Sequence, residues 1–203
     1  MKPATIVNLK DDTSEDARTG AVRSVQTADV YLPEDTLRQI WTPLHLERLA
    51  RTYWRFLSRV TLGLIRVRYT EQERFVVLLL PALKLLSFRA PEYELDAERG
   101  VVRWRIARGL LVARAGHSRD GYLQIDVRRL PSEAASHPGR PTRARLHVEV
   151  EVANFYPAIA SGIGRWFYRK TQSRIHVLVT HGFLRSLARL DLAQSRVGRF
   201  EDS

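Results

Sequence analysis

Along this chain the spacing of apolar residues changes from helical to alternating and back again. In "LHLERLARTYWRFLSRV", Leu46, Leu49, Tyr53, Phe56 and Val60 recur at intervals of three and four, which puts them on one side of an α-helix. In "LIRVRY" the interval falls to two, with Ile65, Val67 and Tyr69 opposite Arg66 and Arg68. The alternation is cleanest in "RLHVEVEV", where Leu146, Val148, Val150 and Val152 oppose His147, Glu149 and Glu151. From Pro157 the helical interval returns, and Ile175, Val179, Phe183 and Leu187 share one side of a long helix. Arg174, His181, Arg185 and Arg189 lie along a different side. A chain patterned in this way makes an antiparallel sheet with one charged and one apolar face, and the apolar face must be covered. The last helix is long and amphipathic enough to cover it.

The punctuation between these segments sets the element order. "TADVYLP" reads as a short strand over residues 27 to 33, and "PEDTLRQIW" as a helix opened by a proline and two acids. Pro43 interrupts that helix, because the residue before a proline is driven out of helical geometry. "RFVVLLL", "LSFRAPEYEL", "VVRWRI", "GLLVAR" and "YLQIDVRRL" follow as strands joined by turns such as "DAERG", and "PSEAASHPGRPT" is a proline-rich loop. The expected sheet runs over residues 61 to 156 and packs on a helix over 165 to 190. Residues 1 to 26 are polar and aperiodic and read as a disordered, dispensable leader; 27 to 192 form one domain and 193 to 203 a flexible tail.

Composition narrows the function classes. With no cysteine, disulfides, thiolate nucleophiles and cysteine-held metals are excluded. His176 and His181 are five residues apart, on different helix faces, and no carboxylate stands at HExxH spacing, so no metal site is expected. There is no GxSxG nucleophile elbow and no Walker loop. "GIGRWF" imitates the start of a dinucleotide fingerprint, but Phe167 stands at the third glycine position and the preceding strand is antiparallel. Gly162 and Gly164 are read instead as a turn from the last strand into the helix, and no cofactor is expected. The most apolar run, "FVVLLLPALKLL", is 12 residues long and contains Pro81 and Lys84. A membrane-spanning helix needs about 20 apolar residues, so the expectation is a soluble, cytoplasmic protein.

The net charge is +11, carried by 33 basic residues of which 29 are arginine. Residues 1 to 26 balance Lys2, Lys10, Arg18 and Arg23 against Asp11, Asp12, Glu15 and Asp16, so the excess belongs to the folded part. Such a surface attracts anionic membranes, nucleic acid or acidic partners, although codon bias explains the arginine equally well. Trp166, Phe167 and Tyr168 beside Arg165, Arg169 and Lys170 fit a membrane interface, or core packing of Phe167 with a solvated basic flank. No nucleic-acid-binding motif accompanies them, and nucleic acid is not an expected partner. Arg66, Arg68, Arg103 and Arg105 are read as part of the outer face, ion-paired with Glu149 and Glu151.

This order of elements resembles the START-like, or Bet v 1-like, superfamily (SRPBCC, polyketide cyclase-type). The resemblance covers residues 27 to 192 and rests on "ADVYLP", the broken helix pair, the meander and the closing helix "RIHVLVTHGFLRSLARL". It implies an α+β helix-grip fold, in which a curved antiparallel sheet wraps the C-terminal helix around a cavity for an apolar small molecule. Most members bind and some catalyse, so the expectation is a carrier or sensor of a lipid-like or aromatic molecule. The alternatives are a cyclase- or aromatase-type enzyme, or a basic membrane-surface or nucleic-acid adaptor without a cavity. No catalytic residue is assigned. Asn154 and Tyr156 continue the inward alternation past Val152 and either meet a ligand or, if the strand ends at Ala153, face solvent. Trp104 is inward by the same count, as core or as a ligand platform. Val179, Gly182 and Phe183 form the helix wall of the expected cavity; with Ser186, Gly182 either leaves space or lets helix and sheet approach closely.

Overall fold

The computed structural model describes residues 5–18, 22–60, 65–69, 73–78, 84–108, 121–131 and 143–155, together with Gly182 and Ser186. Strands β1 (Thr5–Glu15) and β2 (Val22–Pro33) precede helices α1 (Glu34–Ile40) and α2 (Pro43–Val60). Strands β3 (Ile65–Tyr69), β4 (Glu73–Leu78), β5 (Lys84–Arg89), β6 (Glu92–Leu95), β7 (Arg99–Arg108), β8 (Tyr122–Leu130) and β9 (Arg143–Phe155) follow. All pair antiparallel in one nine-stranded sheet, in the order β1-β2-β9-β8-β7-β5-β4-β3, with β6 also on β7. The molecule is thus an α+β protein with a large antiparallel sheet.

The helix pair forms for local reasons. Pro33 stands at the N-cap of α1, and Glu34 and Asp35 occupy its first turn. Thr42 caps α2: its Oγ1 accepts a hydrogen bond from the His45 amide at 3.3 Å, and its carbonyl accepts the Leu46 amide at 3.1 Å. Pro43 is then the first residue of α2, where its missing N–H costs nothing. Leu46, Leu49, Ala50, Tyr53 and Trp54 are buried along α2, and Phe56 and Leu57 are partly buried.

Two expectations are corrected. Residues 1 to 26 are not a disordered leader: β1 and the start of β2 lie within them, joined by register pairs from Thr5↔Tyr31 to Glu15↔Val22. β1 escaped notice because it is an edge strand exposed on both faces from Asn8 onward, so no apolar alternation marks it. A bulge between Val7 and Lys10, with Asn8 at φ 54°, breaks the remaining pattern. Second, "LSFRAPEYEL" is two strands, β5 and β6, which pair with successive parts of β7 on either side of Ala90–Pro91. The expected strand "GLLVAR" and the proline-rich loop lie outside the described residues. Of the expected C-terminal helix, Gly182 and Ser186 are described and both are helical.

Candidate functional site

Antiparallel partners point to the same face, so the register sorts the side chains into lateral rows. One row on the inner face runs Thr13, Ser24, Val152, Leu123, Trp104; the next runs Asp11, Gln26, Val150, Ile125, Val102. A third holds Ala28, Val148, Val127 and Gly100. Leu146, Val148 and Val150 are buried and Val152 packs against the core, which bears out the alternation read from the sequence.

A cleft opens on this face where α1 breaks into α2. Leu37, Leu46, Leu95, Val127 and Leu146 are among the side chains that line about 40 Å³, with Gly100 beside them and Thr42 and His45 as polar groups. A Cβ on Gly100 would stand 3.1 Å from Leu95 Cδ1 and 3.5 Å from Leu46 Cδ1, so the missing side chain is part of the space. Trp41 holds the mouth against the β6–β7 turn, its Nε1 donating to the Asp96 carbonyl at 2.7 Å. His45 Nδ1 lies 2.8 Å from Thr42 Oγ1, and Arg48 Nη1 is 3.4 Å from Nε2. Burial, and then the Arg48 charge, hold its pKa below the ordinary imidazole range. His45 therefore stays neutral at pH 7.

At the opposite edge the inner face carries polar groups. Gln26 is 2% exposed, and its Nε2 donates to Asp11 Oδ1 at 2.7 Å and to Ser24 Oγ at 2.9 Å. Thr13 Oγ1 is 2.9 Å from Ser24 Oγ. Gln26 Oε1 is buried and has no partner among the described residues. A buried acceptor left unpaired costs about 1–3 kcal/mol.

The site residues expected from the sequence are placed as follows. Trp104 is fully buried and meets Trp54 of α2 edge-on, with ring centroids 5.2 Å apart. Gly182 stands against α2: a Cβ there would be 2.5 Å from Phe56 Cδ1, so the glycine marks a close approach to that helix. Ser186 is buried. Asn154 belongs to β9, while Tyr156, Val179 and Phe183 lie outside the described residues. Reasoning from the sequence missed His45, Gly100 and Gln26. Thr42-Pro43 followed by His45 is a readable capping signal, but the pairing of Gly100 with Leu95, and of Gln26 with Asp11, needs the register.

The outer face is laddered with ion pairs. Arg105 Nε donates to Glu92 Oε1 at 2.7 Å, and Arg103 Nε to Gln124 Oε1 at 2.7 Å. Glu151 takes Arg23 at 2.7 Å and the Tyr122 hydroxyl at 3.0 Å. Arg103 and Arg105 thus share the face expected for them, but with partners other than Glu149 and Glu151. Asp126, 1% exposed, is clamped by Arg99 and Arg128 at 2.6 and 2.9 Å.

Asp29 is held by three different side chains. Asn8 Nδ2 and Arg145 Nη2 each donate to Oδ2 at 2.8 Å, and His147 Nδ1 lies 2.8 Å from Oδ1. Burial alone would raise its pKa, but the bonds from Asn8, His147 and Arg145 outweigh it and bring the value down from 3.8 to about 2. A depressed pKa stabilises the fold above the unfolded value, and the contribution is lost as pH falls through 4 toward 2. Asp29→Asn is therefore expected to cost about 2 kcal/mol at pH 7. Urea midpoints measured at pH 7 and pH 2.5 should show the gap from the parent closing in acid. An equal gap at both pH values would refute the assignment.

No protein-family model and no curated protein matches the chain. Among solved structures, CalU16 from Micromonospora echinospora matches at 10% identity, over 92% of this chain and 97% of that one, with a TM-score of 0.24. Among the described residues, no helix is long and apolar enough to cross a membrane.

Proposed function

We propose that the protein binds an apolar small molecule between the inner face of its sheet and its helices, as a carrier or sensor with a helix-grip arrangement. The observation that supports this is the cleft at the α1–α2 break, where apolar side chains line open space beside a strand glycine. At about 40 Å³ the cleft is far smaller than the roughly 300–1,000 Å³ that encloses a drug-sized ligand. Binding therefore requires Leu37, Leu46 and Leu95 to swing aside.

Gly100→Val tests the reading. The tips of Leu95 and Leu46 can shift to admit the new Cβ, and the two methyl groups then fill the cleft. Nile red affinity is expected to fall about tenfold or more, a change of 1.4 kcal/mol per decade, while the cooperative thermal transition survives. Unchanged affinity in the variant, or no binding by the parent, would overturn the proposal.

A second reading, acid–base catalysis of the cyclase or aromatase type, is favoured by one group. His45, held by Thr42 at the polar edge of the cleft, is the one titratable side chain among the described residues that line it, and an imidazole is the commonest proton-transfer group. The surface-adaptor reading, with an anionic membrane as partner, draws no support from the outer face, where arginines alternate with the acids that bind them.

A further inference from the structure

The polar edge of the inner face specifies more about a bound molecule than its apolar rows do. Gln26 is held in one orientation. Asp11 accepts at 2.7 Å and Ser24 Oγ lies at 2.9 Å, both from the amide nitrogen. Turning the amide over would set its carbonyl oxygen against the Asp11 carboxylate, so the nitrogen faces Asp11 and Oε1 points away. In the same row stand Val150, Ile125 and Val102, which have no side-chain donor to offer. The result is a fixed carbonyl oxygen, buried and without a partner among the described residues, on the face that the helices cover. Burying such an acceptor is compensated only when a donor arrives.

We propose that Gln26 Oε1 accepts a hydrogen bond from the bound molecule, so that the ligand is an apolar compound ending in a hydroxyl or N–H group. This rests on the apolar-ligand reading above and adds a polar end: Gln26 does not line the cleft at the α1–α2 break, so the ligand runs along the inner face from that cleft toward β2. An anionic head is excluded by the same geometry. A fatty-acid carboxylate brings only acceptors to Oε1, beside the Asp11 carboxylate already bound to the amide. A site built to receive a donor rejects analogues that lack one more strongly than it rejects a change in apolar length.

The test compares three compounds of one chain length by calorimetric titration at pH 7.5: decanol, decanoate and decyl methyl ether. The alcohol is expected to bind about tenfold or more tighter than the ether, which cannot donate, and tighter again than the carboxylate. In Gln26→Leu the alcohol should fall to the affinity of the ether, because the acceptor has gone while the apolar contacts remain. Alcohol and ether binding alike to the parent would overturn the proposal and leave the apolar-ligand reading standing. A preference for the alcohol that survives in Gln26→Leu would likewise overturn it, by placing the acceptor elsewhere. If none of the three binds the parent, the underlying reading fails and the proposal with it. If Gln26→Leu does not fold, Gln26→Met, which keeps the length of the side chain and lacks the carbonyl acceptor, is read in the same way.

Discussion

Deleting residues 1–26 is expected to unfold the protein. The deletion removes all of β1 and the part of β2 that pairs with the end of β9, at Val22↔Phe155, Ser24↔Val152, Val25↔Glu151 and Gln26↔Val150. Val25, buried against its neighbours, contributes about 1.5–3 kcal/mol by its burial. Arg23 leaves too, so Glu151 loses that ion pair and keeps the hydrogen bond from the Tyr122 hydroxyl. Arg23 is half-exposed and solvent screens the pair, so its loss costs about 1 kcal/mol. Asp29 loses the Asn8 bond as well. With the whole β1–β2 ladder and the end of the β2–β9 ladder lost as well, the total reaches the low end of the roughly 5–15 kcal/mol that holds a domain folded. Circular dichroism of the truncated protein should show no cooperative melt. Deleting residues 1–15 alone spares Arg23 and Val25 and should give an intermediate loss. A thermal midpoint unchanged by the longer deletion would show that the β1–β2 hairpin does not support the sheet.

The contrast between β1 and β9 shows what was legible in the sequence. β9 is flanked by β2 and β8; Ala144, Leu146, Val148 and Val150 of its inner face are buried, and Leu146 to Val152 alternate without interruption. β1 has a neighbour on one side, and its sequence "LKDDTSE" carries the charges that keep an edge from pairing further. Those charges are what make it look like a leader. The helix break was legible because capping is local: Thr42, Pro43 and His45 are adjacent in sequence. The partners of the outer arginines were not. Which acid faces Arg105 depends on β6 pairing with β7, a register that no local pattern encodes. The same holds for Gln26, whose role depends on Asp11 across a bulged hairpin.

Trp104→Ala is expected to cost about 3–5 kcal/mol, because the side chain is fully buried and the surrounding structure relaxes only in part into the space it leaves. The ring is part of a chain of aromatics that ties α2 to the sheet. Trp54 stands edge-on to Trp104 at 5.2 Å, Phe88 lies 5.2 Å from Trp54, and Tyr53 meets Trp54 at 5.5 Å. Loss of one edge-to-face pair adds about 0.5–1.5 kcal/mol to the area lost. For a chain of this size each kcal/mol lowers the midpoint by about 2–4 °C, so the melt should move by roughly 6–20 °C. Nile red separates the two roles that the sequence left open for this residue. If Trp104 is core, the variant keeps or gains probe binding, since an apolar cavity without water takes up apolar molecules. If it is a ligand platform, affinity falls while the midpoint barely moves. Its contact with Trp54 favours the first outcome. Trp104→Phe, which keeps a ring against Trp54, should then recover much of the lost stability, and a failure to recover any would show that the edge-on contact is not what holds α2 in place.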